Sequence, residues 1–413
     1  MGSCWELGSA GASPLRGLSG SRTNDGGWNG SPRIDRPVPP GHGERCAGHS
    51  AKNVRPPDKP RSRAFCFSPV VPAEVVWWRR SSILTEPPTV SKAQRYSTAL
   101  PGRRSPFHAC WYPVALSNEV TPGQVRGVPY LGGRIVVYRT ERGVAQVRSA
   151  YCRHLGADLS VGQVVGETIR CPFHHWRYDT TGKCVEVPAG DPPPAAARLF
   201  AFPTAESLGI IWAFNGAEPS YAVPSFGEGT VALDTFRNPV TMKVASDTVV
   251  LNSFDLQHFR VVHKLEIDIV ESTVRREPHH FHYAADVSAP ELGAVRQERT
   301  LWGVSAITIK SERHGRDLYL MHALCPNEVD RASGFLANAL GPAAAGSSDP
   351  AADAELLATL RAYSLRLIAE DAPIFDSIRF VRGCLTRSDQ FLTVGMEYVD
   401  SFPEARPAAG LFD

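Results

Sequence analysis

Two cysteines and two histidines form the most specific chemical pattern in the sequence. Cys152-x-His154 is followed, after sixteen intervening residues, by Cys171-x-x-His174, so that each arm supplies one thiol and one imidazole. A structural zinc site is the first alternative, because Cys₂His₂ sets suit tetrahedral Zn²⁺. Zinc fingers group cysteine with cysteine and histidine with histidine, whereas interleaved pairs are typical of a [2Fe–2S] cluster with two histidines on one iron. The spacing therefore predicts a [2Fe–2S] cluster held by these four side chains.

A second pattern, Asn252-x-x-Asp255-x-x-His258-x₄-His263, lies about eighty residues downstream. On one continuous helix Asp255 and His258 would share a face, whereas His263 would point about 140° away from His258. Both imidazoles can bind one metal only if the helix ends, bends or bulges between them. Histidines in so apolar a stretch are more often core residues than ligands. The pattern alone therefore leaves both interpretations open.

Short apolar runs separated by turn residues extend from Pro106 to about residue 220. This alternation predicts an antiparallel β domain, which we place at residues 105–220. The Cys/His pattern lies inside it. The predicted strands are Trp111–Leu116, Gly133–Tyr138, Val144–Tyr151, Glu167–Pro172, Leu199–Pro203 and Ile210–Asn215.

Residues 221–413 combine long strand-like stretches with a few helical ones, which predicts a second domain of the α+β class. The helical stretches are Asp247–His263, which carries the second pattern, and Ala351–Ala369. The predicted strands lie within Ile267–Ala289, Ala294–Ser311 and Asp317–Leu324, with a last strand at Gln390–Val399.

Residues 1–104 differ from the rest of the chain in composition. The first 100 residues hold 14 Lys/Arg and 7 Asp/Glu, and the first 65 hold 11 Gly and 8 Pro. Such a segment buries too little apolar surface to offset the entropy lost on ordering. We expect residues 1–104 to be a disordered extension, or to precede the natural start of the protein.

Overall composition excludes several classes of protein. The chain has 413 residues, a net charge of +2 and 43% hydrophobic residues, which describes a globular protein without the basic excess of a nucleic-acid binder. No apolar run is long enough for a membrane span, and no secretory signal is recognisable. Nine scattered cysteines fit free thiols or metal ligands better than a disulfide framework. We therefore expect a cytoplasmic protein.

The stretches YCRHLGADLS and CPFHHWRYDTTGKC resemble Rieske proteins. The respiratory-complex branch of that family adds two cysteines that form a disulfide clamp, and Ala157 and Phe173 occupy those positions here. The missing clamp resembles the oxygenase and ferredoxin branch. The resemblance covers about residues 106–380 and implies an antiparallel β Rieske domain followed by an α+β helix-grip catalytic domain of START-like type. His175, next to a ligand, is expected to face solvent in a loop.

The second pattern resembles the mononuclear-iron motif of Rieske oxygenases, which implies that His258 and His263 bind one non-haem Fe(II). Two histidines and one carboxylate form a facial triad that leaves open positions for O₂. The family places its aspartate in an acidic pair followed by apolar residues, which falls on Asp371. Asp376 and Glu370 are the runners-up, and any of these carboxylates could instead lie on a solvated helix face.

The family also implies a head-to-tail homotrimer, in which the cluster of one subunit faces the iron of the next. Asp255 would then bridge His258 and His174 of the partner subunit, since a carboxylate that accepts from two metal-bound imidazoles fixes both rings. Asn252 would orient the site, although an N-cap or solvent-facing role is equally compatible with the sequence. The alternative for Asp255 is surface ion pairing with Arg260 or Lys264.

No dinucleotide-binding fingerprint appears, so the electrons must come from a separate NAD(P)H-dependent reductase, with or without a ferredoxin. Residues 176–184 resemble the oxygenase component of 3-ketosteroid 9α-hydroxylase. We therefore expect a terminal oxygenase that uses O₂ to hydroxylate an apolar, steroid-like or aromatic substrate. An aromatic O-demethylase is an alternative within this class. The other class is an electron-transfer protein, a Rieske module fused to a START-like ligand-binding module.

The substrate would lie among the strands of the second domain. Large apolar side chains there would suit a bulky apolar ligand, but such residues belong to a hydrophobic core more often than to a pocket. The residues in question are Trp302, Val304, Ile307, Leu318 and Met321.

Overall fold

The computed structural model describes most of the chain that follows residue 106. The described ranges are 107–227, 229–290, 293–343, 349–379, 383–406 and residue 408. The extension expected at residues 1–104 lies outside them. Within these ranges, none of the helices has both the length and the hydropathy needed to cross a lipid bilayer.

Three small antiparallel sheets form the first part of the described chain, as the sequence predicts. Their strand orders are β1-β11-β10, β2-β3-β4-β9 and β5-β6-β7-β8. The strands are β1 (Trp111–Leu116), β2 (Val125–Tyr130), β3 (Gly133–Arg139), β4 (Ala145–Ser149), β5 (Gln163–Val165), β6 (Thr168–Arg170), β7 (Arg177–Tyr178), β8 (Cys184–Glu186), β9 (Ala201–Phe202), β10 (Thr204–Ser207) and β11 (Ile210–Phe214).

All six predicted strands of this part are confirmed, at β1, β3, β4, β6, β9 and β11. The prediction missed five others. Four of these are only two to four residues long, too short for alternation to show. The fifth, β2, contains Gly127 and Pro129, residue types that ordinarily argue against a strand.

A seven-stranded antiparallel sheet dominates the second part, in the order β12-β18-β17-β16-β15-β14-β13. Ser305, in the β15–β16 turn, donates a 2.6 Å hydrogen bond from Oγ to the carbonyl oxygen of Trp111, which ties β1 to this sheet. The strands are β12 (Ala232–Arg237), β13 (Glu266–Arg276), β14 (His280–Ala289), β15 (Gly293–Trp302), β16 (Ala306–Arg313), β17 (Arg316–Glu328) and β18 (Arg331–Leu340).

Four α-helices of the described chain accompany this sheet. The helices are α1 (Ser246–Leu251), α2 (Leu256–Val261), α3 (Pro350–Phe375) and α4 (Gln390–Ser401). Helix α3 buries Leu360 and Tyr363 in an apolar cluster with Leu318, Leu320 and Leu340 of the sheet. This combination of sheet and helices is the α+β class predicted for the second part.

The predicted last strand at Gln390–Val399 is wrong, because this segment is helix α4. The apolar residues of the segment satisfy both periods, and a run this short does not distinguish them. In the structure Gly395, Tyr398 and Val399 are buried, which is the i, i+3, i+4 spacing of one helix face. Packing against the rest of the protein therefore selects the helix.

Gly395 brings α4 close to the segment that carries the second pattern. A Cβ at this position would collide with the ring of Phe254, which is fully buried beside Asp255. The absence of a side chain at Gly395 thus sets the distance between α4 and the turn that precedes α2.

Gly395→Ala should therefore destabilise the protein, even though alanine is the better helix former. Overpacking of this kind costs about 1–3 kcal/mol, and thermal unfolding should show a lower midpoint. Gly383→Ala is the matched control, because a Cβ there would meet nothing within 4 Å. An unchanged midpoint for Gly395→Ala would show that the contact with Phe254 yields easily.

Candidate functional site: two metal-ligand clusters and a cavity

Two tight loops carry the Cys/His pattern. The first follows β4, where the N–H of Cys152 donates to the carbonyl of Ala157 at 2.9 Å. The second joins β6 to β7, where the N–H of Cys171 donates to the carbonyl of Trp176 at 2.8 Å. Each loop is thus closed by the backbone of its own cysteine, which fixes both thiols relative to the sheets.

The four side chains of the pattern meet, with the thiols inside and the imidazoles outside. Cys152 and Cys171 are 3% and 1% exposed, whereas His154 and His174 are exposed, with their Nδ1 atoms 3.1 Å apart. A cluster with two thiolates on its inner iron and two neutral histidines on its outer iron matches this arrangement. The donor set and its geometry therefore fit a [2Fe–2S] cluster.

Neighbouring side chains hold the loops in place. The ring of Trp176 stacks on His154 at a centroid distance of 4.4 Å, and the hydroxyl of Tyr178 lies 3.1 Å from Sγ of Cys152. Burial raises the pKa of the Cys171 thiol, a cost that thiolate coordination to a metal offsets. His175 is exposed and has a left-handed backbone, with φ of 60°, which agrees with the expected loop position.

The helix predicted at Asp247–His263 is broken into two short helices, and this break brings the second pattern together. Asp255 interrupts it with φ −91° and ψ 93°, and its Oδ1 accepts a 2.9 Å hydrogen bond from the N–H of His258 as the N-cap of α2. Helix α2 ends at Val261, before His263. The helix thus ends between the two histidines, which is the condition for a shared metal.

His258, His263 and Asp371 converge on one point. The Nε2 atoms of the two histidines are 2.9 Å apart, and Oδ1 of Asp371 lies 3.1 Å from Nε2 of His258 and 3.3 Å from Nε2 of His263. That oxygen is buried and accepts no hydrogen bond of good geometry. A divalent cation bound by these three atoms would satisfy it, so the residues fit a mononuclear Fe(II).

The carboxylate of Asp371 and the imidazole of His263 each favour the charged form of the other. Burial acts to raise the pKa of Asp371, but His258 and His263 hold it below its usual value. Burial lowers the pKa of His263, yet Asp371 and Glu370 raise it overall. Nδ1 of His263 donates to Oε2 of Glu370 at 2.8 Å, and Arg366 in turn contacts Glu370 at 2.9 Å.

The two runner-up carboxylates lie elsewhere. Glu370 contacts His263 on the side opposite to Asp371, at Nδ1, and orients the ring. Asp376 ends helix α3 at the surface, where its Oδ2 pairs with Lys243 at 3.3 Å. Of the three candidates in the described chain, Asp371 alone groups with both histidines.

The structure places Asp255 on the backbone N–H of His258, and Asn252 beside the imidazole of His258, which is one of the roles expected for Asn252. The surface ion pairs suggested as an alternative for Asp255 are not formed, because Arg260 binds Asp268 and Lys264 donates to a backbone carbonyl. The Nδ2 atom of Asn252 lies 3.4 Å from Nε2 of His258, next to the convergent ligand atoms. Asn252 therefore faces the site, and it is not an N-cap.

A cavity opens beside His258, His263 and Asp371, between the seven-stranded sheet and the helices. Its wall is mainly apolar and includes Ile307, as expected. The other four side chains that were expected to line it do not; they pack in or against the hydrophobic core instead. Those four are Trp302, Val304, Leu318 and Met321.

Two ionisable residues of the cavity wall were not predicted from the sequence, Arg299 on β15 and His322 on β17. Arg299 could have been found from the alternation of inward-facing and outward-facing side chains along its strand. Arg299 alternates with Gln297 and Leu301, and all three are buried. A charged residue at an inward-facing position of a strand therefore marks this site.

Comparison with known proteins agrees with this geometry. Residues 110–204 match the Rieske [2Fe-2S] domain family. Cholesterol 7-desaturase nvd of Bombyx mori is 34% identical over 182 residues, which are 42% of this chain and 40% of that protein. A 3-ketosteroid-9-alpha-monooxygenase oxygenase component of Rhodococcus rhodochrous is 30% identical over 168 residues, 39% of this chain and 44% of that protein.

The fold extends the similarity to the second part of the chain. Dicamba monooxygenase, in a crystal structure with non-heme iron and dicamba, superposes with a TM-score of 0.56 at 19% identity and covers 71% of this chain and 96% of that one. The chain spans less than half of the length of the curated relatives named above. It carries a Rieske [2Fe-2S] domain; its sequence is similar to the desaturase and the monooxygenase component named above, and its fold is similar to that of dicamba monooxygenase.

Proposed function

We propose that this protein is the terminal oxygenase component of a multicomponent Rieske monooxygenase. In this proposal residues 105–220 hold the [2Fe–2S] cluster through the Cys/His pattern, and residues 221–413 hold a mononuclear Fe(II). A separate NAD(P)H-dependent reductase, with or without a ferredoxin, supplies the electrons. The reaction hydroxylates a substrate with a largely apolar body, of steroid-like or aromatic type.

One observation carries the proposal: His258, His263 and Asp371 direct three ligand atoms to one point at the wall of a closed-in apolar cavity. An electron carrier fused to a ligand-binding module would need no such triad. An iron there, when bound, supplies O₂ activation with electrons from the cluster. The names of the relatives, among them a sterol desaturase and a ketosteroid monooxygenase, support the oxygenase class.

In this proposal the residues around the triad orient the metal-binding imidazoles. Glu370 accepts the Nδ1 proton of His263, which leaves Nε2 free to bind metal. Asn252 offers an amide beside His258. The apolar wall excludes water from the reacting atoms. An O-demethylase would use the same residues and differ in its substrate.

The head-to-tail homotrimer and the bridging role of Asp255 are part of the proposal. Oδ1 of Asp255 caps α2, and no contact between its second oxygen and another side chain is found in the described chain. That oxygen can accept a hydrogen bond from His174 of the partner subunit. The exposure of His154 and His174 supports such a contact between subunits.

The ligand assignment predicts the metal content. The purified protein should hold about three irons for every two acid-labile sulfides, whereas an electron carrier would hold two for two. Asp371→Asn should lose the third iron, because the amide removes the charged ligand. Asp376→Asn is the matched control and should keep it, since Asp376 pairs with Lys243 at the surface. Loss of iron in the control alone would make Asp376 the ligand.

Substitutions at the [2Fe–2S] ligands and at the mononuclear-iron ligands should have separable effects. His154→Ala or His174→Ala should abolish the visible absorption and the electron paramagnetic resonance signal of the cluster, since each removes a ligand of one iron. His258→Ala or His263→Ala should leave that spectrum intact while activity falls to background. A brown, fully reducible His174→Ala protein would refute the cluster assignment.

Asp255→Asn tests the path of the electron. Asparagine is as good an N-cap as aspartate, so α2 and both iron sites should remain, and only the negative charge of residue 255 is lost. We expect the reductase to reduce the cluster at a near-normal rate, and O₂ with substrate to reoxidise it far more slowly, in stopped-flow absorption measurements.

Mixed trimers provide the second arm of this experiment. Chains with His174→Ala, mixed with chains with His258→Ala, should regain some turnover, because an intact cluster then faces an intact iron across one interface. Normal reoxidation in Asp255→Asn, or no rescue in trimers shown to be mixed, would place the electron path within one chain.

A further inference from the structure

A buried arginine in the cavity wall has no carboxylate partner among the residues that the structure describes. Arg299 is 3% exposed, and it lines the cavity that also contains His258, His263 and Asp371. Its Nε and Nη2 both donate to Oε1 of Gln297, at 3.1 and 2.6 Å. Across the described ranges, Arg299 forms no ion pair with an acidic side chain. A neutral amide therefore accepts these two hydrogen bonds, and the uncharged hydroxyl of Tyr283 is a further partner of the guanidinium.

Aromatic rings complete the surroundings of the guanidinium. Its carbon lies 5.0 Å from the ring centre of Phe259 and 5.9 Å from that of Tyr283. Cation–π contacts stabilise a charge, but less than a carboxylate would. An uncompensated charge in a protein interior is expensive. Arg299 is thus fixed in position by its neighbours and lacks a counter-ion.

The rest of the cavity does not supply that counter-ion. Asp371 faces the two imidazoles, and Asp376 pairs with Lys243. His322, which lines the same cavity, cannot neutralise the guanidinium, because an imidazole is either uncharged or positively charged. Its neutral ring can donate or accept one hydrogen bond. The remaining wall is apolar or uncharged.

Arg299 lies close to the metal-ligand site without belonging to it. The ring of Phe259 neighbours both: its centre is 5.8 Å from the ring centre of His258 and 6.0 Å from that of His263. A small molecule can therefore contact the guanidinium at one end and reach the triad with another carbon.

We propose that the cavity binds a substrate with a carboxylate, which pairs with Arg299 while the apolar body of the substrate fills the rest of the cavity. Arg299 is then the residue that determines specificity, and it orients the molecule so that a carbon atom remote from the carboxylate faces the triad. The reaction at that carbon rests on the proposed oxygenase function, whereas recognition of the carboxylate by Arg299 does not.

Calorimetric titration of the holoprotein with matched probes tests this proposal. The probes are benzoate, 3-phenylpropanoate, 2-naphthoate and 5β-cholanate, each paired with its neutral primary amide. We expect at least one carboxylate to bind about tenfold or more tightly than its amide, as a desolvated charge pair should. If no pair in this series shows that preference, the proposal is wrong.

Variants assign the preference to Arg299. Arg299→Met should abolish it, and Arg299→Lys should retain part of it, because the charge remains. Arg260→Met is the matched control, since Arg260 binds Asp268 at the surface, and it should keep the full preference. The visible spectrum of the cluster and the thermal midpoint verify that each variant is folded. An undiminished preference in folded Arg299→Met would overturn the proposal.

A carboxylate could also bind the metal directly, and His263→Ala distinguishes the two cases. If Arg299 is responsible, the preference persists without the mononuclear iron; if it disappears, the metal is responsible and the proposal fails. Because this experiment measures binding alone, a protein with no oxygenase activity would contradict the proposed function and leave the assignment of Arg299 standing.

Discussion

The buried carboxylate of Asp371 is the constraint on which the second part of the structure depends. Its Oδ1 is enclosed by two imidazoles and accepts no well-formed hydrogen bond, so the fold holds a negative charge where only a cation can satisfy it. Helix α3 supplies this group from one side, and the broken helix supplies His258 and His263 from the other. The sheet beneath them, tied to β1, keeps the two sides together.

The sequence predicted which side chains come together better than it predicted what surrounds them. The Cys/His pattern and the paired histidines could be recognised because ligand types and spacings are local properties. Even the break between His258 and His263 followed from helix geometry, since one metal cannot bind both from a continuous helix. The capping role of Asp255 was missed, although aspartate is a favoured N-cap, because a helix starting at residue 256 was not foreseen.

Tertiary packing decided what the sequence could not. Residues 390–401 fit strand and helix periods alike, and contact with Phe254 selects the helix. Of five side chains expected in the cavity wall, only Ile307 lies there, because strand alternation shows which residues share a face but not which face borders a cavity. Arg299 was missed for the opposite reason: its charge suggests a surface position, whereas its place between Gln297 and Leu301 on β15 is inward.

Arg299 and Asp371 place charges of opposite sign in one cavity, and these charges would orient a bound molecule. Asp371 neutralises only part of the charge of a divalent metal, so an anionic substrate would be drawn to the metal by its carboxylate and would present no carbon for oxidation. A second cation, the guanidinium of Arg299, which lies on Phe259 and is anchored by Gln297, would offer that carboxylate a competing partner. The apolar wall strengthens both attractions by excluding water. Arg299 therefore does more than add affinity, because it separates the group that is recognised from the carbon that reacts.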